Sequence, residues 1–177
     1  MGLLELFGLK STPAPAANKA ASDTIRRITE ELEHMEPDRA KYIASFAYIL
    51  GRTAHADLNI SEHETREMER IVQHVAGLPE EQAILVVQIA KAQHALFGGT
   101  ENFVVTQEFN RLATRAQKLS LLNCLFAVSS SDRSISTIED NEIRKISREL
   151  RLDHADFIAA RSAYKEHLEV LKKRPER

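Results

Sequence analysis

The sequence predicts an all-α protein, a compact bundle of about seven to eight helices built from two related helix–acidic loop–helix repeats. Three observations predict it. Apolar residues recur three and four apart along most of the chain, with no convincing strand alternation. Helix-start and helix-stop residues punctuate those runs. An octet occurs twice, 75 residues apart: Asp57-Leu58-Asn59-Ile60-Ser61-Glu62-His63-Glu64 and Asp132-Arg133-Ser134-Ile135-Ser136-Thr137-Ile138-Glu139 share Asp, Ile, Ser and Glu at the same four places.

Residues 1–21 read as a flexible tail. Residues 11–21 carry Pro13, Pro15 and many alanines, as a tether does. Residues 3–9 are expected to form a disordered terminus, the alternative being a fraying helix that touches a membrane or a partner. Residues 22–177 form one domain, with repeat one at about 38–97 and repeat two at about 101–173. Ile25, Ile28, Leu32 and Met35 mark the first stripe, and Pro37 suits the first turn of the next helix. That helix carries Tyr42, Ile43, Phe46, Ala47, Leu50 and Ala54 and stops at the first octet. Met68, Ile71, Val72 and Val75 follow, closed by Gly77.

Pro79-Glu80-Glu81 opens a broadly apolar helix (Ile84, Leu85, Val87, Ile89, Leu96) that Gly98-Gly99 ends, and its breadth predicts a central position. A helix over 102–116 and another over 119–128 lead to the second octet. Ile143, Ile146 and Leu150 then repeat Met68, Ile71 and Val75, and a one-residue shift around Gly77 sets Leu78 opposite Leu152. A last helix starts at Asp153, with Asp156 completing a capping box, and runs on through Phe157, Ala160, Tyr164, Leu168 and Leu171. Lys172-Lys173-Arg174 would cap its negative end. Two copies with related faces would pack about a pseudo-twofold axis.

Composition narrows function by exclusion. Lys and Arg number 24 against 26 Asp and Glu, a net charge of −2, so no nucleic-acid partner is expected. The single cysteine, Cys124, excludes an intrachain disulfide, and its apolar surroundings predict a buried thiol. The first residues are too short and acidic for a secretory signal, Leu6 breaks the myristoylation pattern, and no apolar run reaches spanning length. The expectation is a soluble cytoplasmic protein. Seven histidines form no H-E-x-x-H, and neither a phosphate loop nor a nucleophile arrangement stands out, so no enzyme is expected. The histidines read as solvated surface residues.

The octets leave two readings open. Ser61-x-x-Glu64 and Ser136-x-x-Glu139 are capping boxes, with Ile60 and Ile135 placed for hydrophobic staples and Asp57 and Asp132 for Asx turns. Alternate oxygen-bearing side chains also resemble the first half of an EF-hand loop. The second half fails: the sixth position is Glu62 or Thr137 instead of Gly, and the twelfth Met68 or Ile143 instead of Glu. One octet is thin for a calcium site, but Asp57, Glu64, Asp132 and Glu139 together suffice for a hard cation. Crowded without one, they would repel and raise one another's pKa.

From Ala56 and Ser131 onward, the two octets resemble the motif of the TerB family, tellurite-resistance and stress-response proteins that include TerB-like domains of some membrane-linked co-chaperones. The family pattern is a helix ending in Ala-Asp-Gly, two variable residues, a small acidic or hydroxyl residue, and a Glu that begins the next helix. The resemblance runs from about Tyr42 to Leu168. It implies an all-α bundle in which Asp57, Glu64, Asp132 and Glu139 gather as a divalent-metal site, with Ca²⁺ the first candidate. It also implies a stress-response role in complexes near the bacterial inner membrane, and hence a protein partner. The family Gly is Leu58 in one copy and Arg133 in the other, strained if the position requires positive φ. Arg133 also sets a cation beside Asp132, which would weaken a metal site or serve as counter-ion. No His-Pro-Asp motif is present, so the chain carries no J-domain of its own. The alternative is a metal-free helical interaction module or scaffold in which the octets only cap helices.

Overall fold

Side-chain caps from Glu36, Ser61, Thr114 and Ser136 set four of the helix starts. A computed structural model describes residues 3–8, 19–54, 61–92 and 102–172. In chain order the helices are α1 (Leu3–Leu6), α2 (Lys19–Glu33), α3 (Pro37–Thr53), α4 (Glu62–Ala76), α5 (Glu80–Lys91), α6 (Asn102–Leu112), α7 (Arg115–Ser129), α8 (Thr137–Glu149) and α9 (His154–Ser162). Two short 3₁₀ turns follow, Lys165–His167 and Glu169–Leu171. α2 begins at Lys19, three residues before the predicted domain boundary.

Pro37 occupies the first turn of α3, where its missing N–H costs nothing, and Glu36 accepts the Asp38 and Arg39 amides ahead of it. Gly77 closes α4 at φ 66°, and Arg151 takes the matching place after α8 at φ 58°. There Leu152 N–H reaches Ser147 O and Arg151 N–H reaches Arg148 O, a Schellman ending. The next residues, Leu78 and Leu152, are both buried, as the one-residue shift predicts.

α3 is buried along most of its length and sits at the centre, packed on α5, α6, α7 and α8. α4 packs on α5 and α7, and α9 on α7 and α8. Exchanging α3, α4 and α5 for α7, α8 and α9 carries α3–α5 onto α7–α9, α4–α5 onto α8–α9 and α4–α7 onto α8–α3. The contacts of α6 with α3 and of α7 with α8 have no comparably broad counterpart, so the exchange is only partial. Two aromatic groups fill the core. Tyr42 stacks on Phe109, with Phe46 edge-on, between α3 and α6, whereas Phe126 meets Phe157 and Tyr164 beneath α9. Cys124 is buried in α7, and burial pushes its thiol up to about 12.

Four sequence expectations change. The helix over 102–116 ends at Leu112, because Thr114 caps a new helix and shares a reciprocal box with Gln117. Thr-x-x-Gln is the same signature as the octet boxes, so that signal was present in the sequence. The last helix stops at Ser162 instead of running to Leu171. Beyond it the main chain turns outward: His167 O accepts Ile135 N–H at 2.7 Å, and Glu169 N–H donates to Ile135 O at 3.0 Å. Leu168 is buried at this bridge, which a continuing helix would forbid because its amides and carbonyls bond internally. Lys172 therefore does not cap α9; its Nζ lies 3.4 Å from Arg133 O. Lys173 and Arg174 lie outside the described residues, as do Leu96, Gly98 and Gly99 beyond the described end of α5. The predicted disordered terminus instead forms the single turn α1, with Leu6 and Phe7 packed against the core.

Candidate functional site

The second octet shows how each repeated residue is used. α7 ends through Ser130 and Ser131, whose hydroxyls donate to Ala127 O and Val128 O. Arg133 N–H returns to Ser130 O at 2.8 Å, closing a turn that leaves Arg133 at φ 68°. That is the left-handed position for which glycine is suited, so the family Gly marks a real backbone need that Arg133 meets with strain. Asp132 Oδ1 accepts Ser134 N–H at 3.0 Å, the predicted Asx turn. Among the described residues Arg133 forms no ion pair with Asp132, so the expected counter-ion contact is absent. Ile135 is fully buried and anchors the loop by its bridge to Leu168.

Ser136 then caps α8. Its amide and hydroxyl both donate to Glu139 Oε2 at 2.8 Å, and Glu139 N–H donates back to Ser136 Oγ at 3.2 Å. The first loop repeats this: Ser61 N–H and Oγ–H reach Glu64 Oε2 at 2.7 and 2.8 Å, and Glu64 N–H reaches Ser61 Oγ at 3.2 Å. The Ser61 amide, then its hydroxyl, hold the Glu64 carboxyl below the usual glutamate range. In both boxes one oxygen does the capping. Among the described residues, Oε1 of Glu64, Oε1 of Glu139 and Oδ2 of Asp132 accept no hydrogen bond.

Three of the four predicted ligands can therefore be placed. Asp132 lies in the second loop, Glu139 in the first turn of α8, and Glu64 in the first turn of α4. Asp57 lies outside the described residues, with His55 and the rest of the first loop up to Ile60. Among the described residues, no three His, Cys, Asp or Glu side chains form a group able to hold a metal ion. Glu64, Asp132 and Glu139 are therefore not gathered into a three-ligand group, and a site of all four would need Glu64 to approach Asp132 and Glu139 as well as Asp57.

Two ion-pair groups that tie α8 into the bundle were not foreseen. Arg52, at the end of α3, is 4% exposed in its side chain and bridges Glu142 and Glu149 at 2.6 Å each. Burial pulls its guanidinium down, but the hydrogen bonds to Glu149 and Glu142 outweigh that and hold it above its ordinary value. Arg161 of α9 grips Asp140 with both ends of its fork, at 2.8 and 2.9 Å, and the Asp140 side chain is 6% exposed. One sequence signal existed: Glu142 and Glu149 stand seven residues apart beside the Ile143–Ile146–Leu150 stripe. Nothing local named their partner.

No helix among the described residues is long and apolar enough to cross a membrane. Comparison with curated proteins gave no match, and comparison with solved structures gave none. The family model described as tellurite resistance protein TerB matches residues 42–162, which span both octets and the helices α3 to α9 around them. By that match over more than half its length, and by two acidic loops that each turn into a capped helix, the chain belongs to the TerB family.

Proposed function

We propose that the protein is a non-enzymatic, cytoplasmic stress-response protein of the tellurite-resistance type. In this reading Asp57, Glu64, Asp132 and Glu139 together hold a divalent cation, Ca²⁺ first among the candidates. One observation carries the proposal: each motif Glu caps its helix through Oε2, and among the described residues Oε1 accepts no hydrogen bond. Capping and coordination are then compatible uses of one side chain. Hard cations take several oxygen ligands at once, so a loop with two carboxylates needs the other loop. The cation would switch the relation between the loops, and a protein partner, in a complex at the inner membrane, would read that change. Nucleic acid is not a partner in this scheme.

The test is calorimetric titration of metal-stripped protein with Ca²⁺, then Mg²⁺ and Zn²⁺, beside the Asp57→Asn/Asp132→Asn double variant. Saturable heat with Ca²⁺ that vanishes in the variant is the expected result. No heat and an unchanged melting temperature would remove the cation from the scheme. A second reading, a metal-free interaction module, is favoured by the completeness of the two capping boxes, which account for every Ser and Glu of the motif without an ion. Under it the double variant changes stability by about 1 kcal/mol and binds its partner as before.

A further inference from the structure

The N-terminal segment has a seat on the folded domain. Leu3–Leu6 forms one helical turn, ended by Gly8 at φ 72° with its N–H on Glu5 O at 3.0 Å. The turn directs Leu6 and Phe7 onto the core, where both are half-buried. They face a groove formed by Lys41 of α3, Val104, Gln107 and Arg111 of α6, and Arg151 beyond α8. A space of about 540 Å³ remains between segment and groove. Two half-buried side chains beside that much space make a shallow seat, unlike the close-packed contact of α6 on α3. Of the polar residues at the groove, Lys41 pairs with Glu108, and Arg111 pairs with both Glu108 and Asp38.

We propose that the α3–α6 groove is a docking site for a short Leu-Phe helical tip, and that the chain's own N-terminal segment fills it as a releasable latch. The chemistry is that of a short turn laid in a groove, read by two adjacent apolar anchors, Leu6 and Phe7. Residues 9–18 connect the tip to α2, a link short enough to hold it near the groove at an effective concentration of roughly millimolar. A weakly bound tip therefore stays docked by proximity. A partner presenting a similar Leu-Phe tip competes for the groove and frees the segment.

The chain contains no tryptophan, so Phe7→Trp is a single fluorescent reporter of docking in the full-length protein. Emission blue-shifted from that of the matching free peptide, moved red by excess synthetic peptide of residues 1–10 with the melting temperature unchanged, is the expected result. Val104→Asp should produce the same red shift with the far-ultraviolet circular dichroism unchanged. Solvent-like emission from the start overturns the latch. So does blue emission that no excess of peptide moves, which would make the segment part of the core. Blue emission accompanied by a doubled molecular mass also overturns it, because the tip would then sit on a second copy. Should Val104→Asp unfold the protein, the peptide competition still decides.

Discussion

α4 and α8 begin alike and are held differently. Each follows an acidic stretch of sequence, each starts with a Ser–Glu box of nearly the same bond lengths, and each ends in a left-handed residue followed by a buried leucine. Their outer sides then diverge. Along α4 the charged pairs, Arg66–Glu62 and Arg70–Glu67, lie on the surface. Along α8, Arg52 and Arg161 clasp the helix from α3 and from α9, each pair with one member almost closed to water: Arg52 itself in the first and Asp140 in the second. At the offset of 75, Asp140 corresponds to Thr65, which takes a hydrogen bond from Lys91, and Glu149 corresponds to His74. The loop before α8 is also strapped to the C-terminal segment through Ile135, Ser134 and Glu169. Identical local grammar thus tolerates different anchorage: capping is a contract within four residues, whereas clamping depends on what the rest of the bundle brings near.

The contrast can be broken most strongly at the clamps. Arg161→Met should cost about 3 kcal/mol in denaturant unfolding, because it strands the Asp140 carboxylate without its partner. Arg52→Met should cost about 2 kcal/mol, less because Glu142 and Glu149 are each about 30% exposed and can regain water. Arg70→Ala on α4 should stay within about 0.5 kcal/mol. Equal losses in all three would erase the distinction between the two helices.

Next in size are the caps and the strained turns. Ser61→Ala and Ser136→Ala should each lower stability by about 1 kcal/mol, testing whether the boxes are as alike in energy as in geometry. Arg133→Gly and Arg151→Gly should each raise it by up to about 1 kcal/mol, since glycine carries no Cβ penalty at φ 68° or 58°, less its larger unfolded-state entropy. A loss at either position would mean that the arginine side chain outweighs its backbone strain.

The smallest effect sharpens the comparison by titration. The Glu64 carboxyl lies below its unfolded value, so its contribution is present above the ordinary glutamate pKa and is lost as pH falls through the depressed folded one. Glu64→Gln should flatten that part of the stability–pH curve by lowering neutral stability toward the acid value, because Gln accepts the Ser61 amide without the carboxylate charge. An unchanged acid limb in the variant would show that the carboxylate charge is irrelevant to the cap.

What could be read in advance follows this division. The spacing of Tyr42, Ile43, Phe46 and Leu50 announced α3 because a buried helix must repeat apolar residues at its own period. Ser61, Glu64, Ser136 and Glu139 announced their helix starts because partner and cap lie three residues apart. The gap at Ala113 was missed although Thr114 and Gln117 carried the same signal, because the apolar run on both sides suggested continuity. Leu168 fitted a helical stripe by spacing, and only its pairing with Ile135 showed that burial there is reached by an extended turn. Of the candidate site, the local bonding of Asp132, Glu64 and Glu139 was legible; their arrangement relative to one another was not.

By itself, then, the sequence determined the helical class, the two acidic loops with their caps, and the family, since each rests on residues within a few positions of one another. Tertiary structure alone decided that Arg52 meets Glu142 and Glu149 from 90 and 97 residues away, that Arg161 meets Asp140, that the C-terminal turns strap the second loop, and that Leu6 and Phe7 return to the domain. A charge or an apolar tip specifies what kind of partner it needs. Which partner it finds depends on where folding the core places the rest of the chain.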